Sequence, residues 1–256
     1  MDLKEERAIG GDPSTHWYYI SKGRAIKSLL GEGDIEQVLD VGAGSGVFSR
    51  MLVDEGRAQS AVCVDPNYDD GFIAERRTEN IDFVKSAKTG DADTVMMIDV
   101  IEHVDDDVAL MEEYAREAKA GTRFLISVPA FSFLWSSHDD FLEHRRRYTL
   151  DSLRASVESA GLSPINLQYF FGLLFPAVAA QRLMERASAG EKEAATASAL
   201  KPAPSWPNKA LVAIHDLERK TVFGAHRIAG VTAFCLAEKK AVAGEEALAP
   251  TKACAL

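Results

Sequence analysis

Apolar residues in this chain gather in short continuous runs, and between the runs they recur every three or four positions. Val38-Leu39 leading to Val41, Ala61-Val62-Cys63-Val64, Ile81 to Val84, Asp93 to Val100 and Gly121 to Ala130 are runs of strand length. Short, nearly continuous apolar runs are the pattern of strands buried on both faces. Helical spacing follows them: Val47, Phe48, Met51 and Leu52; then Val108, Leu110, Met111, Tyr114 and Ala115; then residues 149–161, capped by Thr149. Strand and helix alternate, which predicts an α/β fold with a parallel, doubly wound sheet. Ahead of it, residues 14–31 predict a helix capped by Ser14, with Trp17, Ile20, Ala25, Ile26, Leu29 and Leu30 as its apolar positions. After it come a sixth strand at 164–171, an apolar helical run at 172–186, a further helix at 206–222 and a last strand at 230–238. The expected organisation is a flexible arm at 1–13, one domain at 14–239 with an insertion at about 172–222, and a disordered tail at 240–256. The Ala-, Ser-, Glu- and Lys-rich stretch at 187–204 is expected to be mobile.

Residues 36–52 carry the first chemical signal. A strand ending in Asp40 and Val41 runs into Gly42, Ala43, Gly44, Ser45 and Gly46, and a helix follows. Glycines let backbone approach a ligand closely, and the helix start offers free N–H groups. Dinucleotide sites require G-x-G-x-x-G, but here the third glycine position is Val47. A carboxylate at Asp40 would repel a pyrophosphate and suits a ligand with an ammonium group. Asp65, 25 residues further on at the next strand end, is placed to hold ribose hydroxyls.

VLDVGAGSG resembles motif I of the class I S-adenosylmethionine (SAM)-dependent methyltransferases. D-V-I-E-H-V at 99–104 resembles the segment after strand four in small-molecule members of that group. The resemblance implies a Rossmann-like, mostly parallel seven-stranded sheet whose last strand lies antiparallel beside the fifth. It implies SAM as cofactor and S-adenosylhomocysteine as product. Asp40 would take the amine; Gly42, Ala43, Gly44 and Gly46 the methionine portion; Asp65 the ribose. Pro66 and Ser86 would lie near the adenine, and Asp99, Val100 and Ile101 beside the methionine. The N-terminal helix would act as a lid through His16, Trp17 and Tyr19.

Phe131 to Leu150 overhangs the strand ends and combines aromatic residues, His138, His144 and three arginines, Arg145 to Arg147. It resembles the V-P-A…W-S…H-D…G-H…R-R-Y-T pattern of a bacterial methyltransferase subgroup linked to surface-glycan or secondary metabolism, with Glu143 where that pattern has glycine. Methyl transfer needs a nucleophile held in line and relieved of its proton. His144 and His138 are the candidate bases, and Trp135, Arg146 and Tyr148 the further candidates to face the substrate. Asp105, Asp106 and Asp107 read as a helix start, and no metal site is expected.

Composition narrows the partners. A formal net charge of -10 disfavours nucleic acid. Three scattered cysteines, Cys63, Cys235 and Cys254, give neither a disulfide framework nor a zinc site. The charged first residues are not a signal peptide, and no apolar stretch reaches ~18 residues, so a cytoplasmic protein is expected. The expected activity is methyl transfer to an O, N or C nucleophile of a small metabolite, by a monomer or homodimer. The alternatives are a membrane-associated enzyme of lipid-linked or glycan acceptors touching the bilayer through 172–186, an NAD(P)-dependent oxidoreductase, and a non-catalytic SAM-binding protein.

Overall fold

The computed structural model describes residues 12–187 and 205–241. The expected arm up to residue 11, the mobile stretch from 188 and the tail from 242, with Cys254, lie outside the described residues. Seven strands form one sheet: β1 Ile35–Val41, β2 Ala58–Val64, β3 Ile81–Val84, β4 Thr94–Ile98, β5 Arg123–Pro129, β6 Ser163–Phe170 and β7 Thr232–Glu238. Their order is β3-β2-β1-β4-β5-β7-β6, and only β7 runs antiparallel to its neighbours. The helices among the described residues are α1 Trp17–Leu30, α2 Val47–Asp54, α3 Asp70–Arg76, α4 Asp107–Glu117, α5 Ser137–Phe141, α6 Leu150–Ser159, α7 Phe175–Ala187 and α8 Ser205–Thr221.

Side chains alternate across a strand, so each strand feeds two cores. Val38, Met96, Ile98, Leu125, Phe234 and Leu236 pack on one face against Ile26 of α1 and Phe48 and Leu52 of α2. Leu39, Val95, Met97, Phe124, Ile126 and Cys235 pack on the other, against Met111 of α4 and Leu153 and Val157 of α6. That double burial is why the strands read as unbroken apolar runs. α8 lies along α1, where Asn208 accepts the Trp17 N–H at 2.6 Å and donates to the Thr15 carbonyl at 2.9 Å.

Two local expectations change. α1 begins at Trp17, and its cap is His16, whose Nδ1 accepts the Tyr18 N–H at 3.3 Å. Ser14 belongs to a 3-10 turn, Pro13–Thr15, that Asp12 caps. β4 ends at Ile98 rather than continuing to Val100, because Asp99 takes φ 55°, outside extended geometry. Asp106 caps α4 by accepting the Ala109 N–H, which accounts for the acidic start of that helix. No helix among the described residues is long and apolar enough to cross a membrane.

Candidate functional site

The carboxyl ends of β1, β2, β4 and β5 gather the residues that the sequence singled out. At the β1 turn, Gly42 has φ 67° and Gly46 φ 68°. A Cβ on Gly42 would stand 2.7 Å from Val100 Cγ2, and one on Gly46 would stand 2.8 Å from Phe83 Cζ. The turn's own packing therefore already requires glycine at both positions. The amides of Gly42 and Ala43 donate to the Val64 carbonyl at 2.8 and 3.1 Å. The amides of Gly44 and Ser45 donate to no residue among those described, and Ser45 Oγ is buried without a partner there. That is a cradle of donors suited to a ligand's carboxylate.

Asp40 lies beneath the turn, almost fully buried, and accepts the Ser49 hydroxyl at 2.6 Å. Burial pushes its carboxyl up to about 6. Asp65, at the end of β2, accepts the Asn67 N–H at 2.9 Å with one oxygen. Its other oxygen has no hydrogen-bond partner among the described residues, as a ribose site needs. Pro66 and Ser86 are exposed on the rim. Ile101, expected beside the cofactor, is instead fully buried in the core against α4 and α6, and Val100 packs on Gly42.

Asp99 receives three donors: Ser127 Oγ at 3.0 Å, Tyr18 OH at 3.3 Å and the Lys22 ammonium. Lys22 is fully buried. Burial would raise the Asp99 carboxyl, but the adjacent Lys22 ammonium holds it below the usual range. Next to it Glu102 is also fully buried, and both its oxygens lack a hydrogen-bond partner among the described residues. Burial and the neighbouring Asp99 push its carboxyl well above the glutamate range.

A cavity of about 240 Å³ opens here between α1, the ends of β4 and β5, the 131–148 overhang and α7. Trp17, Tyr18, Tyr19, Phe48, Phe171, Leu134, Leu142, Leu174 and Val178 give it apolar walls. Asp99, Glu102, His103, Ser136, His138, His144, Arg147, Arg182 and Thr232 are its polar members. His144 is fixed through Nδ1, 2.9 Å from Asp139 Oδ1. Asp139 is itself buried and receives Arg147 Nε at 2.7 Å, Arg147 Nη2 at 2.9 Å and the Ser136 N–H at 2.8 Å. Burial would raise that carboxyl, but His144 and Arg147 hold it far below the usual range. A second, larger groove of about 520 Å³ between α1 and α2 contains none of the strand-end carboxylates.

The overhang corrects several expectations. Arg146 turns away from the cavity to Asp107 and to the carbonyls of Val104 and Asp105. Tyr148 is buried with its hydroxyl on Asp107 at 2.9 Å, and Trp135 donates to Asp140 at 2.9 Å. None of these three lines the cavity, nor does His16, which is spent as the α1 cap. Trp17 and Tyr19 do line it. Sequence reasoning passed over Lys22, Phe171 and the chemistry of Glu102 and His103. Lys22 carried a signal: it stands one helical turn after Tyr18 on a side of α1 that is otherwise buried.

A family model described as "Methyltransferase domain" matches residues 18–167. Among solved structures, a SAM-dependent methyltransferase from Archaeoglobus fulgidus is 16% identical and aligns with a TM-score of 0.51, covering 91% of this chain and 97% of that one. A phosphoethanolamine N-methyltransferase 2 from Haemonchus contortus, in complex with S-adenosyl-L-methionine, is 15% identical and aligns with a TM-score of 0.54, covering 94% of this chain and 60% of that one. Among curated proteins, a ubiquinone biosynthesis O-methyltransferase of Xanthomonas oryzae pv. oryzae is 26% identical over 100 residues, 36% of this chain. The chain spans 42% of the length of that relative.

Proposed function

We propose, from the premise that this chain belongs to the methyltransferase domain family, that it transfers a methyl group from SAM to a hydroxyl oxygen of a small, largely apolar acceptor. The observation that carries this reading is the cavity at the strand ends. Its walls are largely aromatic and aliphatic, and within its lining the side-chain polar atoms of Glu102, His103 and His144 come within 4.8 Å of one another. Such a cavity takes a ring-bearing molecule and brings one polar group of it to His138 and His144. The weak likeness to an O-methyltransferase favours oxygen as the methylated atom.

SAM supplies an electrophilic methyl on a sulfonium, so that an S–CH₃ bond breaks as the O–CH₃ bond forms and S-adenosylhomocysteine is left. The chain's own residues do the rest. Asp40 sets negative charge beneath the glycine turn, opposite the cofactor's ammonium, and the Gly44 and Ser45 amides meet its carboxylate. Asp65 holds the ribose with its unengaged oxygen. Trp17 meets Tyr18 and Phe171 edge to face, Tyr18 stacks on Phe171, and the three rings exclude water from the acceptor side. The acceptor's hydroxyl proton passes to one of the two cavity imidazoles, His138 or His144.

The test is calorimetry with SAM, followed by detection of S-adenosylhomocysteine against a panel of phenols, aliphatic alcohols and aromatic amines. One SAM per chain and turnover confined to hydroxyl acceptors is the expected result. Binding without turnover on any acceptor, or turnover on amines alone, overturns the oxygen assignment.

A further inference from the structure

We propose that Glu102, His103 and His144 form a binding site for one divalent first-row transition cation on the floor of the acceptor cavity. Each residue offers one ligand atom, and these atoms all lie within 4.8 Å of one another. Two ligands on opposite sides of such an ion stand about 4.2 Å apart, twice a bond of about 2.1 Å, so the set closes on an ion with side-chain movement alone.

Three independent observations support a built site. First, Glu102 is fully buried, and neither carboxylate oxygen has a hydrogen-bond partner among the described residues. A buried acid in that condition, beside the Asp99 carboxylate, lacks a counter-charge, because Lys22 is already committed to Asp99. Second, His144 gives Nδ1 to Asp139 and turns Nε2 to the remaining side of its ring. Metal-bound histidines are commonly held in this way, with the far nitrogen on a carboxylate that fixes tautomer and orientation. Third, the two segments are fastened together by backbone. The Arg145 N–H donates to the Glu102 carbonyl at 2.8 Å, and Arg145 Nε donates to the His103 carbonyl at 2.7 Å. His144, the residue before Arg145, is thereby held against Glu102 and His103, and the two imidazoles meet edge to face at 4.7 Å.

Two imidazoles and one carboxylate leave coordination positions open and suit Zn²⁺, Mn²⁺, Fe²⁺ or Co²⁺ better than Mg²⁺. Resting on the methyl-transfer reading above, the cation takes the acceptor oxygen as a Lewis acid. The O–H bond breaks, its proton goes to His138, which lines the same cavity, and the oxygen attacks the methyl carbon as the S–CH₃ bond breaks. No electron is transferred, so the ion changes no oxidation state.

The test titrates the untagged, metal-stripped full chain with Co²⁺, following its visible absorption and calorimetric stoichiometry, with Mg²⁺ as the hard-ion control. One equivalent of Co²⁺ with imidazole-type absorption is expected. Glu102→Gln and His144→Gln should each weaken Co²⁺ at least tenfold, and Asp139→Asn should weaken it about 10- to 100-fold through His144. SAM calorimetry on the same preparations reports that each variant is folded. Wild type that binds SAM yet takes up less than a tenth of an equivalent of Co²⁺ overturns the site and leaves the methyltransferase reading intact. Unchanged Co²⁺ affinity in folded Glu102→Gln overturns it as well. Co²⁺ binding without SAM binding upholds the site and removes the cofactor reading.

Discussion

Asp40 carries its protonation equilibrium into an accessible pH range. Its carboxyl moves from 3.8 to about 6 on folding, chiefly through burial. The folded state therefore holds a proton that the unfolded state has lost between those values, and stability falls as pH rises through that window. At neutral pH the cost is on the order of 3 kcal/mol. Asp40→Asn, which still accepts from Ser49, should flatten that slope and raise the melting temperature at pH 7. An ammonium brought close favours the ionised acid, so SAM binding should release a fraction of a proton near pH 6 and none near pH 8. Calorimetry in two buffers of different ionisation enthalpy measures this, and the release should vanish in Asp40→Asn. His138 gives a second test: His138→Ala should lower kcat about 10²–10⁴-fold while leaving SAM affinity unchanged. Asp40 and Asp65 were legible in the sequence because each ends an apolar run. Lys22 was not, since an isolated cation on a helix shows its partner only after the chain has folded.

At the scale of elements, the glycine turn is held by what stands behind it. Gly42→Ala should cost about 1–3 kcal/mol, from the strained φ and from a methyl placed 2.7 Å from Val100. Val100→Ala should restore part of that loss and not all of it, because it relieves the contact and leaves the dihedral angle. Chemical denaturation of the two single variants and the double variant reads the difference. Strands and major helices could be placed from periodicity because double burial makes the signal strong. The overhang could not be resolved in the same way. Its short helix, Ser137–Phe141, is fixed by a capping box from Ser136 and Asp139, and its three consecutive arginines diverge to three different acids. Adjacent charges in a loop carry no period from which to read direction.

On the scale of the whole molecule, the segment between β6 and β7 couples to the cavity through one acid. Glu218 accepts the Gly172 N–H at 2.7 Å and meets His215 Nδ1 at 3.3 Å. Burial would raise its carboxyl, but His215 and the Gly172 and Leu173 amides hold it below the glutamate range. His215 in turn stacks on Trp17 in the cavity wall, with centroids 5.5 Å apart. Glu218→Gln should cost about 1.5–3 kcal/mol in denaturation and raise KM for the acceptor more than Kd for SAM. The loss should shrink as pH falls, because the stability given by a depressed carboxyl disappears through its folded pKa.

The position of β7 sets a timetable for synthesis. Thr232–Glu238 lies between β5 and β6 and hydrogen-bonds to both. During translation, the two strands that flank it emerge first and cannot pair with each other across the gap. Each carries an open edge until the intervening strand arrives. A nascent chain halted before residue 232 should therefore engage chaperones or self-associate, whereas β1 to β4 already have their partners. Release from that vulnerable state waits on seven residues made after both flanking strands.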